Sequence, residues 1–170
     1  MSAIAKRIQT DYAEDFYAWT QRQAELLATL RSVFPQLPQE LDLENLTEEV
    51  SSLGSAELRA VESQIQNILV HLVKALSDPA AEALPHWRAE TVVFHIALNR
   101  RYSPSMRQRI RVETIWRLAK RIAKAQLAAN GRTILAPSQC PLVLADFTAD
   151  EFDFDRAVAK LSAAIRSTQA

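Results

Sequence analysis

Three histidines and one cysteine are the side chains of this 170-residue sequence best suited to catalysis or metal binding. His71, His86 and His95 fall in two or three different predicted helices. None forms an H-x-x-x-H or E-x-x-H pair, the spacings that bring two ligands onto one helical face. There is no G-x-S-x-G elbow, no phosphate-cradling glycine run and no C-x-x-C. Cys140 stands between Gln139 and Pro141 with no histidine near it in sequence, and reads as a structural thiol. One metal-like set remains: Glu48 or Glu49 on one helix and His71 on the next could converge inside a bundle. Such sites normally carry Glu-x-x-His, which is absent, and His71 falls at the edge of an apolar stripe, the usual place of a hydrogen-bonded structural histidine. No metal and no cofactor is therefore expected, and an enzymatic reaction is the less favoured reading.

Charge is the second possible source of chemistry. Net charge is zero, with twenty acids against twenty bases, so the total names no partner. Its distribution is uneven. Residues 100–132 hold ten Lys or Arg and one acid, Glu113, whereas residues 40–62 hold seven acids and one base, Arg59. Residues 146–155 hold five acids and no base. Arg107, Arg109, Arg117, Lys120, Arg121 and Lys124 would line one face of a helix over 104–130, a stripe of the kind that tracks a phosphate backbone. Aromatic residues are not interleaved with it, because Trp116 belongs to the apolar arc. The acidic segments could also neutralise the face. Nucleic-acid binding is thus the alternative reading, and a solvated or internally paired face the first. Membrane-surface binding is weaker still, since Ile115, Trp116 and Ile122 are needed for a core.

These side chains must be positioned by helices, and the stretch from Leu41 to Leu76 organises them. Leu43, Leu46, Val50, Leu53, Val61, Ile65, Ile68, Leu72 and Leu76 recur in steps that are mostly three or four, one helical stripe, with Asp42 as N-cap. Gly54-Ser55 interrupts the pattern and predicts a break or sharp kink, glycine ending one helix and serine capping the next. The half from Val61 to Leu76 is expected to be the most buried helix.

Residues 1–10 read as an N-terminal arm or an extra helical turn. Asp11 and Glu14 have capping-box spacing, and a helix over 11–33 would bury Tyr12, Phe16, Trp19, Leu26, Leu30 and Val33. Pro35 and Pro38 end it. A helix over 85–102 carries Trp87, Thr91, Phe94 and Leu98 on one side and Val92, Val93 and Ile96 on the other. Ser103-Pro104 starts a long helix that stops at Asn130-Gly131, its core face running from Val112 through Ile115, Trp116, Leu118, Ala119 and Ile122 to Ala123. Pro137 and Pro141 keep the next segment irregular, with Leu142, Leu144 and Phe147 as an apolar flap. A final short helix from about Asp155 to Ser167 shows Val158, Leu161 and Ile165.

The expected fold is all-α: a single-domain bundle of five or six helices over residues 1–170, with an irregular proline-containing segment and a short last helix. Two glycines, 48% hydrophobic residues and no period-two alternation carry that expectation. The lone cysteine excludes an internal disulfide framework. No segment approaches the about 20 apolar residues of a membrane span, and no apolar stretch of signal-peptide length opens the chain. A cytoplasmic location, away from membranes, is expected.

Several stretches carry a resemblance: DYAEDFYAWTQRQAELL at Asp11–Leu27, LDLENLTEEVSSLG at Leu41–Gly54, ILVHLVK at Ile68–Lys74, HWRAE at His86–Glu90 and QCPLVLADF at Gln139–Phe147. Together, in that order, they resemble the bacterial family called domain of unknown function twenty-nine, abundant in cyanobacteria. The resemblance covers residues 11–147 and implies an all-helical bundle with no assigned activity. Two departures stand out. The segment after Trp87 is apolar (VVFHIA) where such proteins are rich in Arg, Glu and Gln, and residues 148–170 look like an added C-terminal helix.

These features point to a non-enzymatic interaction or assembly module, with nucleic-acid binding as the alternative and a metal-dependent enzyme third. Val92, Val93 and Ile96 are the expected self-association surface, most simply of a homodimer, and an unidentified protein partner is compatible with the same surface. The C-terminal helix is the candidate cover for that surface.

Overall fold

The structure, a computed structural model, describes residues 12–169, with side chains through Ser167. It is all helical, with no strand among the described residues. The helices are α1 (Phe16–Val33), α2 (Leu43–Ser77), α3 (Leu84–Asn99), a 3-10 helix (Pro104–Gln108), α4 (Val112–Ala129), α5 (Leu144–Phe147) and α6 (Phe154–Gln169). The chain forms two compact units. One comprises residues up to Ala60 together with Arg101–Arg109; the other comprises Val61–Arg100 and everything from Ile110 onward.

In the first unit the chain starts its main helix later than expected. Asp15, not Asp11, caps α1, its Oδ1 accepting from the Ala18 N–H at 2.9 Å. Asp11 and the arm 1–10 lie outside the described residues. The same Asp15 carboxylate accepts from the Ser105 N–H at 3.0 Å and the Ser105 hydroxyl at 2.7 Å, fixing the 3-10 helix against α1. A second tie joins Arg101 to Glu57 at 2.9 Å. Asp42 caps α2 as its position predicts, with the Asn45 N–H 3.1 Å from Oδ1.

Two expectations fail in this unit. The break at Gly54 does not exist, because α2 is one helix of 35 residues. Ser55 does not cap; its hydroxyl donates back to the Ser51 carbonyl at 3.1 Å. Glycine is required there by approach of α1, not by termination: a Cβ on Gly54 would lie 2.1 Å from Thr20 Oγ1. The buried stripe of α1 is Tyr17, Thr20 and Ala24, and the small Thr20 and Ala24 let the two helices close up. The larger residues Tyr12, Leu26 and Val33, expected in the core, are exposed. Tyr12 instead meets Phe16 and Trp19 edge to face, and Phe16 and Trp19 stack, with ring centroids 4.7–5.9 Å apart.

The second unit holds the main core. Val61, Ile65, Ile68, Leu69, Leu72 and Val73 of α2 are all but sealed from solvent, as their periodicity predicts. Each such side chain contributes roughly 1.5–3 kcal/mol on burial. Ile115, Trp116, Ala119, Ala123 and Leu127 of α4 are buried, as are Thr91, His95 and Leu98 of α3. Leu142 and Phe147 are the buried part of the flap, and Phe154, Ala157 and Leu161 the buried face of α6. Leu118, expected in the core, is exposed, while Leu127 takes a core place.

The long helix predicted over 104–130 is interrupted. A 3-10 turn ends at Gln108, and α4 restarts at Val112 without a side-chain cap; Ser103 makes no capping bond either. The predicted stop is real: Gly131 adopts φ 67°, the Arg132 N–H reaches the Leu127 carbonyl at 2.9 Å, and the Gly131 N–H reaches Ala128 at 3.0 Å.

Candidate functional site

Within the second unit, α2 and α3 place a small polar cluster beside a cleft. His71 lies one turn after Asn67 on α2, and its Nδ1 meets the Asn67 carbonyl oxygen at 2.9 Å. A carbonyl only accepts, so Nδ1 carries a proton. Its Nε2 faces Glu90 Oε2 of α3 at 2.7 Å. His86, four residues before Glu90 on the same helical face, brings its Nε2 to 3.3 Å from that same oxygen. The His71 side chain is only 11% exposed and that of Glu90 38%. The hydrogen bond from His71 holds the Glu90 carboxyl below the usual carboxylate range, His86 and Lys74 adding to the effect.

One turn beyond His71, the Lys74 ammonium sits 4.5 Å above the Trp87 ring. Burial lowers its pKa from the ordinary lysine value, and the Glu90 charge opposes that shift. Lys74 and Trp87 form one wall of an open cleft of about 930 Å³; Ala80–Ala83 and the end of α4 line the remainder. Arg132, placed by the turn at Gly131, closes its rim with a 2.9 Å pair to Asp78.

This arrangement orients charge, with Glu90 Oε2 the shared partner of both imidazoles. No Ser, Thr or Cys stands as a partner to either imidazole in these contacts. Among the described residues no group of three or more His, Cys, Asp or Glu is placed to hold a metal ion. Glu48 and Glu49 do not meet His71: they lie on the same continuous helix, more than twenty residues away, about 33 Å along its axis. The imagined convergence depended on the absent break at Gly54. Cys140 is half-buried, and burial pushes its thiol up to about 11, opposite to the shift that makes a nucleophile. His95 is buried, with Nε2 2.9 Å from the Ala149 carbonyl oxygen, a structural contact.

The six basic residues expected to share one face do not share one helix. Arg107 and Arg109 belong to the first unit, on and just after the 3-10 turn. Arg117, Lys120, Arg121 and Lys124 lie on α4. Lys120 is drawn inward: its Nζ donates to the Ser138 carbonyl at 2.7 Å and rests 5.3 Å from the Trp116 ring. Arg117, Arg121 and Lys124 remain exposed. Several acids are engaged elsewhere: Asp155 with Arg88 at 2.7 Å, and Asp146 with Lys160.

Val92, Val93 and Ile96 project from α3 with 52%, 62% and 46% exposure. The C-terminal helix does not cover them. Its Leu161 is fully buried, and it meets α3 through Asp155 and Arg88, whose guanidinium lies 4.7 Å from the Phe154 ring. Glu90 is the residue that sequence reading passed over. The signal was His86-x-x-x-Glu90 in HWRAE, an i,i+4 pair one helix away from the half-polar His71.

No helix among the described residues is long and apolar enough to cross a membrane. No curated protein matches the sequence. An α-helical protein of unknown function from Rhodospirillum rubrum, solved by crystallography, is 37% identical and superposes with a TM-score of 0.83, over 88% of this chain and 96% of that one. The family model of the domain of unknown function DUF29 matches residues 12–153. With five-sixths of its length under that model and the same helical fold in a relative, the chain belongs to the DUF29 family.

Proposed function

We propose that this protein is a non-enzymatic helical interaction module that self-associates through the outer face of α3. The observation that carries the reading is the exposure of Val92, Val93 and Ile96 in the folded chain. Three β-branched apolar side chains on adjacent turns of one helix make a contiguous patch, the kind that marks a contact surface. A second copy is the simplest occupant, since a two-fold axis lets one surface cover itself. The polar cluster around Glu90 supports the same reading: it ties α3 to α2 and so holds the patch on a rigid support.

Sedimentation equilibrium at micromolar concentration is expected to give more than one chain mass, and Val93→Glu with Ile96→Glu to lower it. A native protein that sediments as a monomer at every concentration would overturn the reading. The exposed Arg117, Arg121 and Lys124 keep nucleic acid as the second candidate partner. Salt-sensitive retention on a nucleic-acid column, abolished by Arg117→Glu with Arg121→Glu, would favour that partner instead.

A further inference from the structure

The first unit carries a further set of exposed large apolar side chains, Leu26, Val33, Leu46 and Leu53. Helices α1 and α2 run antiparallel, Thr20 lying against Gly54 and the Gln21 side chain reaching the Ser51 carbonyl at 3.4 Å. Their mutual contact therefore uses Tyr17, Thr20 and Ala24 on α1, and Ser51 and Gly54 on α2. At about 100° per residue, Leu26, Leu30 and Val33 lie roughly 150° round α1 from that contact, and Leu46, Val50 and Leu53 about 100° round α2. The rotation has the same sense in both. In antiparallel helices, equal sense puts both arcs on the same side of the hairpin, the α1 arc turned toward its outer edge.

Near the open end of the hairpin the segment 101–109 is tied down by Asp15 to Ser105 and by Glu57 to Arg101, with Met106 fully buried. Toward the closed end no such tie is seen among the described residues: Leu26, Val33, Leu46 and Leu53 are all more than 40% exposed. The unit has little else to bury. Among its described residues the buried apolar side chains are Tyr17, Ala24 and Met106.

We infer that this hairpin face is a two-fold contact surface for a second copy of the chain, closing a four-helix bundle of two hairpins. Two helices of 18 residues, with segment 101–109 tied onto the open end, present a face roughly 27 Å long and about 20 Å wide, somewhat below the about 800 Å² per partner of a standard interface. The rims are complementary. The outer edge of the face on α1 carries Arg22, and the outer edge on α2 carries Glu49. A two-fold axis parallel to the helices sets α1 of one copy beside α2 of the other, basic edge against acidic edge at nearly the same height. Among the described residues Arg22 pairs with Glu25, at 3.2 Å, and both side chains are about two-thirds exposed, so the pair can exchange partners. This surface is distinct from the α3 patch, and neither depends on the other.

The test uses the full chain in sedimentation equilibrium, with circular dichroism on every variant. Leu46→Glu with Leu53→Glu should weaken association at least tenfold while the helical spectrum persists. Arg22→Glu or Glu49→Arg alone should weaken it severalfold, and the two together should restore it. These two positions are solvent-exposed, so the charge exchange decides the matter even if the leucine variant misfolds. Association lost on Val93→Glu with Ile96→Glu but unaffected by the leucine and charge variants would overturn this inference and leave the α3 reading standing. The converse would uphold it and remove the α3 reading. Loss of association in both single charge variants without recovery in the pair would overturn the arrangement of α1 beside the partner's α2.

Discussion

Thr20 and Gly54 approach so closely that a single methyl group would not fit between them: the missing Cβ would lie 2.1 Å from Thr20 Oγ1 and 3.2 Å from Thr20 Cβ. The Thr20 hydroxyl is held in place by a 2.8 Å bond to the Tyr17 carbonyl. Gly54→Ala would gain about 1 kcal/mol of helix propensity. The overlap should outweigh it, leaving a net loss of about 1–2 kcal/mol, within the range for overpacked contacts. Adding Thr20→Ala removes the clashing oxygen and should recover most of that loss. Chemical denaturation of the two single variants and the double measures the coupling, and simple additivity would refute the contact.

Gly131 is constrained for the opposite reason. A Cβ there would meet nothing within 4 Å, but its φ of 67° is unfavourable for any side chain. Gly131→Ala is expected to cost about 1 kcal/mol of strain. Gly131→Asn should cost less, because asparagine tolerates this conformation. A neutral Gly131→Ala in urea melts would contradict the left-handed turn.

Glu90 should contribute stability in a pH-dependent way. Its folded pKa is depressed by the His71 hydrogen bond, so its contribution is present above the unfolded carboxylate value of about 4.5 and is lost as pH falls through the lower folded value. Exposure of the carboxylate limits the contribution to about 1 kcal/mol or less. Glu90→Gln should therefore lower the denaturation midpoint at neutral pH, and the gap to wild type should close below about pH 4. A constant gap down to pH 3 would show that the bond is not charge-assisted.

Cys140 should be a slow thiol. With its pKa pushed to about 11 by burial, the thiolate at pH 8 is roughly a hundredfold scarcer than for a free cysteine. Alkylation by iodoacetamide should be slower by about that factor in the folded protein and normal in denaturant. A folded-state rate like that of free cysteine would place the sulfur in water.

What the sequence determined by itself is whatever depends on local periodicity and termination. The Val61–Leu76 stripe, the Asp42 cap, the Gly131 stop and the disruptive prolines are each decided by residues within a turn or two, and an all-helical class follows from them. Packing between helices was beyond that reach. Gly54 reads as a helix end in one dimension because local sequence cannot show that α1 lies against it. The same close approach turns Thr20 and Ala24 of α1 inward and leaves Leu26 and Val33 outside, reversing the usual inference from hydrophobic spacing. Glu90 joins His71 only because α2 and α3 pair 19 residues apart, and Glu48 never meets it because one unbroken helix keeps them distant. Periodicity states that a face is apolar; only the tertiary arrangement decides whether the chain itself covers it.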